Sequence, residues 1–249
     1  MHVVILSARI PPAVDGVGDH SAHLAAALLR RRICVTLACG LQQQYAPPAG
    51  AELWAGALEE ARQRPSAWAS QLAARRADWL LLQYVPYAFQ RQGLPWFLPL
   101  LLRNARRAGV HIGIVFHEVH IRPRENQLIS LGQQWIARQI GRQADLAITS
   151  IPLYQNMLAR LGIPAHVLPV GANVAPHWPP AEGCERLRRQ HFQDKTFIVS
   201  TFGRRDVRAL AAAVRQMPEA GLLVVGPSPW AKAPPYAHAT GYLPASDVC

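Results

Sequence analysis

Acidic residues and lysines are scarce in this chain. Its 249 residues include 15 Asp and Glu against 26 Lys and Arg, a formal net charge of +11, and Lys195 and Lys232 are the only lysines. This balance favours anionic partners such as nucleic acid, phosphate-bearing substrates or an anionic lipid surface. The arginines are spread evenly, however, and the sequence has no RNP, helix-turn-helix or zinc-finger signature, which counts against a nucleic-acid binder.

Cysteine is rare as well. The four cysteines form no CxxC pair, and their scatter favours reduced thiols over a disulfide framework or a zinc cluster. A zinc site built from His117, Glu118 and His120 is a weak alternative, because the H-E-x-x-H helix spacing is absent and no remote Cys or His set accompanies them. We therefore expect no metal ligands.

No apolar run is long enough to cross a bilayer. The longest uncharged apolar block, Leu94–Leu102, is far below the roughly 20 residues that a membrane-spanning helix needs. Met1 leads directly into an apolar segment, without the basic region and cleavage site of a signal peptide. We expect a cytoplasmic protein without a transmembrane span. Hydrophobic residues still make up 50% of the chain, which is ample for a buried core and excludes intrinsic disorder.

Short apolar runs alternate with segments of helical period, as in parallel strands joined by crossover helices. Strands are predicted over Val3–Ser7, Ile33–Leu37, Trp79–Gln83, His111–Phe116, Ala144–Thr149, Ala165–Leu168, Phe197–Phe202 and Leu222–Val225. Helices are predicted over Ser21–Arg32, Pro95–Ala108 and Val207–Gln216. The expected class is α/β, with an N-terminal Rossmann-like doubly wound domain and a partial second Rossmann-like domain.

The boundary between these domains is predicted where the periodicity stops. Gly, Pro and Asn accumulate from Val170 to Pro180, as in an interdomain connection. We expect an N-terminal domain over residues 1–170, a linker over 171–180 and the partial second domain over 181–249. The last part holds about two βα units and part of a third, which is too little for a complete doubly wound domain.

The predicted helix Pro95–Ala108 leaves two interpretations open. Its leucines form one stripe opposite three arginines, which is typical of a buried crossover helix. Trp96 adjoins the arginine-rich face, which fits a helix lying on a membrane surface. The core interpretation takes precedence, and peripheral contact of Arg103, Arg106 and Arg107 with anionic lipid is a hypothesis.

Ligands of open parallel sheets bind beyond the carboxyl ends of the strands, so residues just after predicted strands are the first candidates. Gly16 and Gly18 follow the first strand and let the backbone approach a diphosphate. A glycine turn that only reverses the chain is the alternative. Ser21 occupies the third glycine position of the dinucleotide fingerprint, and no acid follows the second strand, so NAD binding is not expected.

Three more groups follow predicted strands. Tyr84 follows one strand, and His117 with Glu118 follows the next. An adjacent His and carboxylate exchange hydrogen bonds with hydroxyl-rich ligands and protons near neutral pH, although such neighbours are often structural pairs. Arg204 and Arg205 follow the strand at 197–202, where a guanidinium binds phosphate bidentately. Solvated surface arginines are the alternative for that pair.

Together these motifs resemble the retaining glycosyltransferases of family 4, which have the GT-B fold of two Rossmann-like domains. The resemblance covers essentially the whole chain, and its order and spacing are more specific than any single motif. Its carriers are Ile10–His20, Leu82–Tyr87, Phe116–Glu118, Leu168–Asn173 and Thr201–Arg204.

The resemblance implies transfer of a sugar from a nucleotide-diphosphate donor to an acceptor hydroxyl, with retention and without a cofactor or an obligatory metal. The expected setting is polysaccharide or glycolipid synthesis in the cytoplasm, with a glycan or lipid-linked acceptor. Peripheral contact with the inner face of the cell membrane is a hypothesis that rests on the arginine-rich helix described above. The residues assigned to this function are His117 and Glu118 for catalysis, Gly16, Gly18, Arg204 and Arg205 for the donor, and His20, Gln83 and Tyr84 for the acceptor.

The sequence departs from the family pattern at three places. Asp15 replaces the first glycine of the first loop, and the lysine usual after the Gly-Arg pair is absent, with Arg205 or Arg208 as the nearby substitutes. The family's E-x7-E region is not in this chain, which is therefore expected to be a fragment. The alternative function is a non-catalytic acceptor- or partner-binding remnant of a glycosyltransferase.

Overall fold

The computed structural model describes residues 1–120, 126–171, 181–202, 207–228, 230, 232–241 and 243. The chain divides into two units, Met1–Asn173 and Val174–Cys249. The predicted linker, residues 171–180, lies outside the described residues except for Gly171, so its boundaries stay a prediction. The two units are described separately.

A parallel sheet of seven strands forms the centre of the first unit, in the order β3-β2-β1-β4-β5-β6-β7. The strands are β1 (His2–Leu6), β2 (Cys34–Ala38), β3 (Glu52–Trp54), β4 (Trp79–Tyr84), β5 (His111–Phe116), β6 (Leu146–Thr149) and β7 (His166–Val167). The α/β class and the Rossmann-like sheet predicted from the sequence are confirmed. The short β3 was not predicted.

Helices cover the sheet and make the crossover connections. They are α1 (Gly16–Arg30), α2 (Ala57–Gln63), α3 (Pro65–Ala74), α4 (Pro86–Phe89), α5 (Leu98–Arg107), α6 (Gln127–Gly141) and α7 (Pro152–Arg160). Each of α3, α4, α5 and α7 has a proline at its first or second position. The missing N–H of proline removes no helical hydrogen bond there. Within the described residues, no helix has both the length and the apolar character required to cross a membrane.

Both faces of the sheet are buried, which explains the continuous apolar strands. Successive residues of a strand point to opposite faces, and β1 divides accordingly. Val4 and Leu6 join a core that includes residues of α3, α5 and α6, whereas Val3 and Ile5 join a second core against α1. α1 therefore lies on one face of the sheet, and α3, α5 and α6 lie on the other.

The strand order reverses between β1 and β4, which are neighbours in the sheet although β2 and β3 separate them in sequence. In open α/β sheets such a reversal leaves a crevice at the carboxyl ends of the strands, where ligands bind. The segments after β1, β4 and β5 meet at this place. They carry most of the predicted site residues of the first unit.

The second unit contains a parallel sheet in the order β10-β9-β8. Its elements are α8 (Ala181–His191), β8 (Phe197–Phe202), α9 (Arg208–Arg215), β9 (Ala220–Val225) and β10 (Ala237–Ala239). Val207, Ala211 and Val214 pack against Leu222 and Val224 to form its core. The strand predicted at 197–202 is confirmed, and β9 begins two residues before its predicted start.

Candidate active site

Three chain segments bring His20, Gln83 and His117 together beside the reversal point. The Nε2 atom of His117 lies 2.8 Å from Oε1 of Gln83, and the rings of His20 and His117 meet edge to face with centroids 5.2 Å apart. The His117 backbone N–H donates to the Tyr84 carbonyl at 3.1 Å. α1, β4 and β5 therefore each supply one polar side chain to a single cluster.

Helix α1 begins at Gly16, five residues before its predicted start. Asp15 caps it in an extended conformation, and its carboxylate accepts the Gly18 backbone N–H at 2.7 Å. This hydrogen bond satisfies one of the unpaired donors at a helix start. Gly16 and Gly18 therefore belong to the first helical turn rather than to the predicted loop.

Gly18 is required by a contact within the protein. A Cβ atom at this position would lie 2.8 Å from the Arg9 carbonyl oxygen, which is closer than van der Waals contact allows. The backbone of the first helical turn thus packs directly on the segment after β1. The contact gives Gly18 a structural reason, and its predicted role in donor binding stays a prediction.

The environment of His117 keeps its ring neutral. Burial and the neighbouring His20 ring lower the pKa of His117 to about 4, against an opposing effect of Asp15. The Gln83 side-chain oxygen accepts the Nε2–H, so the neutral ring keeps its lone pair on Nδ1. A ring of such low basicity binds protons weakly at neutral pH, so at pH 7 it is a neutral hydrogen-bonding group.

Gln83 lies behind His117 and is 1% exposed. Its Oε1 atom fixes the tautomer and the orientation of the imidazole. Among the described residues its Nε2 atom has no hydrogen-bond partner. This placement suits a residue that positions His117, and the predicted contact of Gln83 with an acceptor stays a prediction.

Glu118 and Tyr84 face a different environment from His117. The Tyr84 ring is fully buried edge-on against Phe116, and burial together with the charge of Glu118 raises its pKa. Burial also raises the pKa of the Glu118 carboxyl, although part of this side chain is exposed. Tyr154 has a raised pKa from its own burial and from Glu118. His117 and Glu118 therefore act on different neighbours, as expected for consecutive residues leaving a strand.

An open cavity of about 590 Å³ lies beside the start of α1, and the sequence analysis missed it. Its lining comprises Arg9, Pro12, Ala13, Leu41, Gln42, Gln43 and Gln44. The Gln42 side chain donates to the Ile10 carbonyl at 3.0 Å and so ties the segment after β2 to the segment after β1. The cavity offers one guanidinium and several amides, which suit an anionic or hydroxyl-rich ligand. The signal in the sequence was Arg9, three residues after the end of β1.

The remaining assignments concern residues without a described structure. Arg204 and Arg205 lie outside the described residues, and their role in donor binding stays a prediction. In the described ranges no group of three or more His, Cys, Asp or Glu side chains is arranged to hold a metal ion.

Comparison with known proteins gives similarity at the level of solved structures. The sequence matches no protein-family model and no curated protein. Anabaena HepE in complex with UDP-glucose superposes with a TM-score of 0.64 at 14% identity, covering 98% of this chain and 70% of that chain. A putative UDP-N-acetylglucosamine 2-epimerase from Listeria monocytogenes gives 0.59 at 15% identity, covering 99% and 70%. A ugt transferase from Siraitia grosvenorii in complex with UDP gives 0.56 at 12% identity, covering 98% and 71%.

These similarities establish the fold. They run through nearly all of this chain, so the GT-B-like α/β class predicted from the sequence is confirmed. This chain spans about 60% of the length of HepE in its complex with UDP and glucose. At such low identities the likeness does not extend to substrates, and the assignment to family 4 with retention stays a prediction.

The pKa of His117 predicts a pH dependence of stability. The unfolded chain takes up this proton near pH 6.5 and the folded chain only near pH 4, so the free energy of unfolding should fall as pH drops through this window. His117→Gln should flatten part of that fall, and His20→Gln should raise the pKa of His117. Ring ¹⁵N NMR titration measures the pKa, and urea unfolding measures the stability. Titration of His117 at its ordinary value would contradict the burial described above.

The Gly18 contact predicts a loss of stability on adding one carbon atom. Gly18→Ala should lower the free energy of unfolding by about 1–3 kcal/mol, because its Cβ would overlap the Arg9 carbonyl. Gly183→Ala in α8 is the matched control: nothing lies within 4 Å of its Cβ position, and alanine favours a helix. The urea midpoints of wild type and of both variants measure these changes in stability. Equal midpoints would mean that the first turn of α1 does not pack on Arg9.

Proposed function

We propose that this chain is part of a retaining glycosyltransferase of the family 4 type, which moves a sugar from a nucleotide-diphosphate donor to an acceptor hydroxyl. The observation that carries the proposal is the neutral His117, which Gln83 orients at the reversal point of a GT-B-like sheet. A neutral imidazole with its lone pair on Nδ1 suits hydrogen bonding to a sugar hydroxyl. Solved structures of this fold that contain UDP or UDP-glucose support the proposal that the donor is a nucleotide sugar.

The first unit supplies the groups that we assign to the acceptor and to the reacting sugar. His117 contacts the transferred sugar, and Gln83 holds its ring in place. His20 lies against His117 and, with Arg9 in the adjoining cavity, recognises the acceptor. Tyr84 is fully buried, so in this proposal it supports the Glu118 region and does not touch a ligand.

The proposal assigns the donor diphosphate to the start of α1, and it keeps Arg204 and Arg205 as donor-binding residues predicted from the sequence alone. A helix N-terminus attracts anions through its dipole and its backbone N–H groups. Arginine side chains neutralise the charge that develops on a leaving diphosphate. The proposal includes no cofactor and no obligatory metal.

We place the reaction in the cytoplasm, in the synthesis of a polysaccharide or a glycolipid. Cys34 and Cys184 are free and exposed, which suits a reducing compartment. The acceptor in this proposal is a glycan or a lipid-linked glycan, which offers hydroxyl groups to the polar side chains at the sheet edge.

A non-catalytic remnant that binds acceptor or partner is the second candidate. The observation in its favour is the Asp15 carboxylate, which already accepts the Gly18 N–H. This carboxylate places a negative charge at the helix start to which the first function assigns the diphosphate.

Binding and turnover together test the first function. UDP, GDP and ADP are added in turn to the 249-residue chain, and one of them should raise its melting temperature, since a ligand that binds only the folded state stabilises it by about 2.7 kcal/mol at 100 times its Kd. The matching nucleotide sugars are then assayed for hydrolysis and transfer. His117→Gln should lower turnover at least about tenfold while leaving diphosphate affinity unchanged. Binding together with turnover that His117→Gln lowers supports the first function. No binding of any diphosphate overturns the donor assignment and favours the remnant.

The charge of Asp15 gives a separate prediction. Asp15→Asn keeps a cap oxygen for the Gly18 N–H but removes the negative charge, so it should bind the stabilising diphosphate about fivefold more tightly. Asp194→Asn, a change of an exposed carboxylate in the second unit, is the control for net charge. Calorimetry measures the affinity of each variant for the diphosphate. Equal affinities of wild type and Asp15→Asn would mean that the donor phosphates do not bind at the start of α1.

A further inference from the structure

The outer face of α6 carries large apolar side chains that stay about half exposed or more in the part of the chain that the structure describes. Leu128, Leu131 and Trp135 are 82%, 53% and 49% exposed. The same stripe continues as Arg138 and Arg142, at spacings of three and four residues. The opposite face of the helix supplies Ile136, Ala137 and Ile140 to the core. The apolar content of the outer stripe therefore does not serve the packing of this helix on the sheet.

The segment leading into α5 extends this surface. The ring of Trp96, which is 56% exposed, lies 5.5 Å from the ring of Trp135 between centroids. A Cβ atom on Gly132 would lie 2.7 Å from Leu94 and 3.6 Å from Trp96, so this glycine lets the two segments approach. Leu100 on α5 is 46% exposed. We call the combined surface the α5–α6 face; it comprises Trp96, Leu100, Leu128, Leu131, Trp135 and the exposed Arg103, Arg107, Arg138 and Arg142.

The charge of the α5–α6 face has one sign. Neither the segment 94–107 nor the segment 126–142 contains an acidic residue, whereas together they contain five arginines. One of these, Arg106, pairs with Asp145 at 2.8 Å. The four arginines of the face leave it cationic around an apolar centre, on a chain whose formal net charge is +11.

We propose that the α5–α6 face binds the surface of an anionic lipid bilayer. Tryptophan and leucine suit the boundary between headgroups and acyl chains, and arginine extends an apolar stem there while its guanidinium contacts phosphate. A second copy of the chain would set arginines against arginines, and a nucleic acid would leave the leucines and tryptophans without apolar partners. Only the lipid surface satisfies both the apolar centre and the cationic rim.

The apolar centre lies toward the candidate active site. α5 and α6 lead into the amino ends of β5 and β6, so each helix begins at the carboxyl edge of the sheet, where His117 follows β5. Trp96, Leu100 and Leu128 belong to these first turns or precede them, and Leu131 begins the second turn of α6. A bilayer on this face would therefore bring lipid headgroups to the edge that carries His117.

Sedimentation with vesicles tests the proposal on the whole 249-residue chain, without any nucleotide sugar, so that its result is independent of the sugar-transfer proposal. The vesicles contain phosphatidylcholine alone or with about one third phosphatidylglycerol. Wild type should bind the anionic vesicles far more strongly. The double variant L131S/W135S should bind the anionic vesicles at least about tenfold more weakly than wild type. The single variants Arg103→Gln and Arg138→Gln should each bind them about fivefold more weakly.

Two controls accompany these variants. Leu187→Ser changes an exposed leucine of the second unit, and Arg30→Gln changes an exposed arginine of α1 on the opposite face of the sheet; both should bind like wild type. Tryptophan fluorescence quenched by brominated lipid, and lost in L131S/W135S, adds a direct readout of contact. Equal binding by all variants overturns the proposal, as does a wild-type dimer in ultracentrifugation that L131S/W135S abolishes, because the face would then be an interface between copies.

Discussion

The adjacency of β4 and β5 in register determines the geometry of the candidate site. Tyr84 pairs with Phe116 at the ends of these strands, so Gln83 and His117 leave the sheet close enough for their side chains to share a 2.8 Å hydrogen bond. The bond fixes the imidazole tautomer, and burial keeps that ring neutral. The chemical state of one histidine thus follows from a strand register that apolar packing on both faces of the sheet enforces.

The same two-sided packing explains why the α5–α6 face is unusual. A crossover helix needs one apolar stripe toward the sheet and a polar stripe outward. The inner stripe of α6 is apolar as expected, with Ile136 and Ile140 in the core. Its outer stripe is apolar instead of polar, with Leu128, Leu131 and Trp135 exposed. Several exposed apolar side chains grouped on one surface are unfavourable in water and mark a surface that meets another apolar phase. Because the helix begins at the carboxyl edge of the sheet, fold topology links this surface to the site.

The sequence predicted those parts of the structure that depend on local pattern. The apolar runs of β1, β4 and β5 gave strands within one residue of their observed ends, because fully buried parallel strands have a strong signal. The three-residue β3 and the start of α1 were missed: the first is too short for a periodic signal, and the second depends on the hydrogen bond from Gly18 to Asp15. The contact of Trp96 with Trp135 joins segments about 40 residues apart in the chain, which no local pattern encodes. Long-range contacts also determine the surroundings of Gln83 and Gly18.

Asp15 shows how stability and ligand binding compete at one helix start. Its carboxylate contributes about 1 kcal/mol as a cap and fixes the first turn of α1 against the Arg9 backbone. A phosphate arriving at the same N–H groups would form charge-assisted hydrogen bonds, but it would meet this negative charge and have to displace the cap. A glycine at position 15 would free the donors and lose the cap. The chain has the stabilising residue, so diphosphate binding at α1 would require compensation by cationic groups.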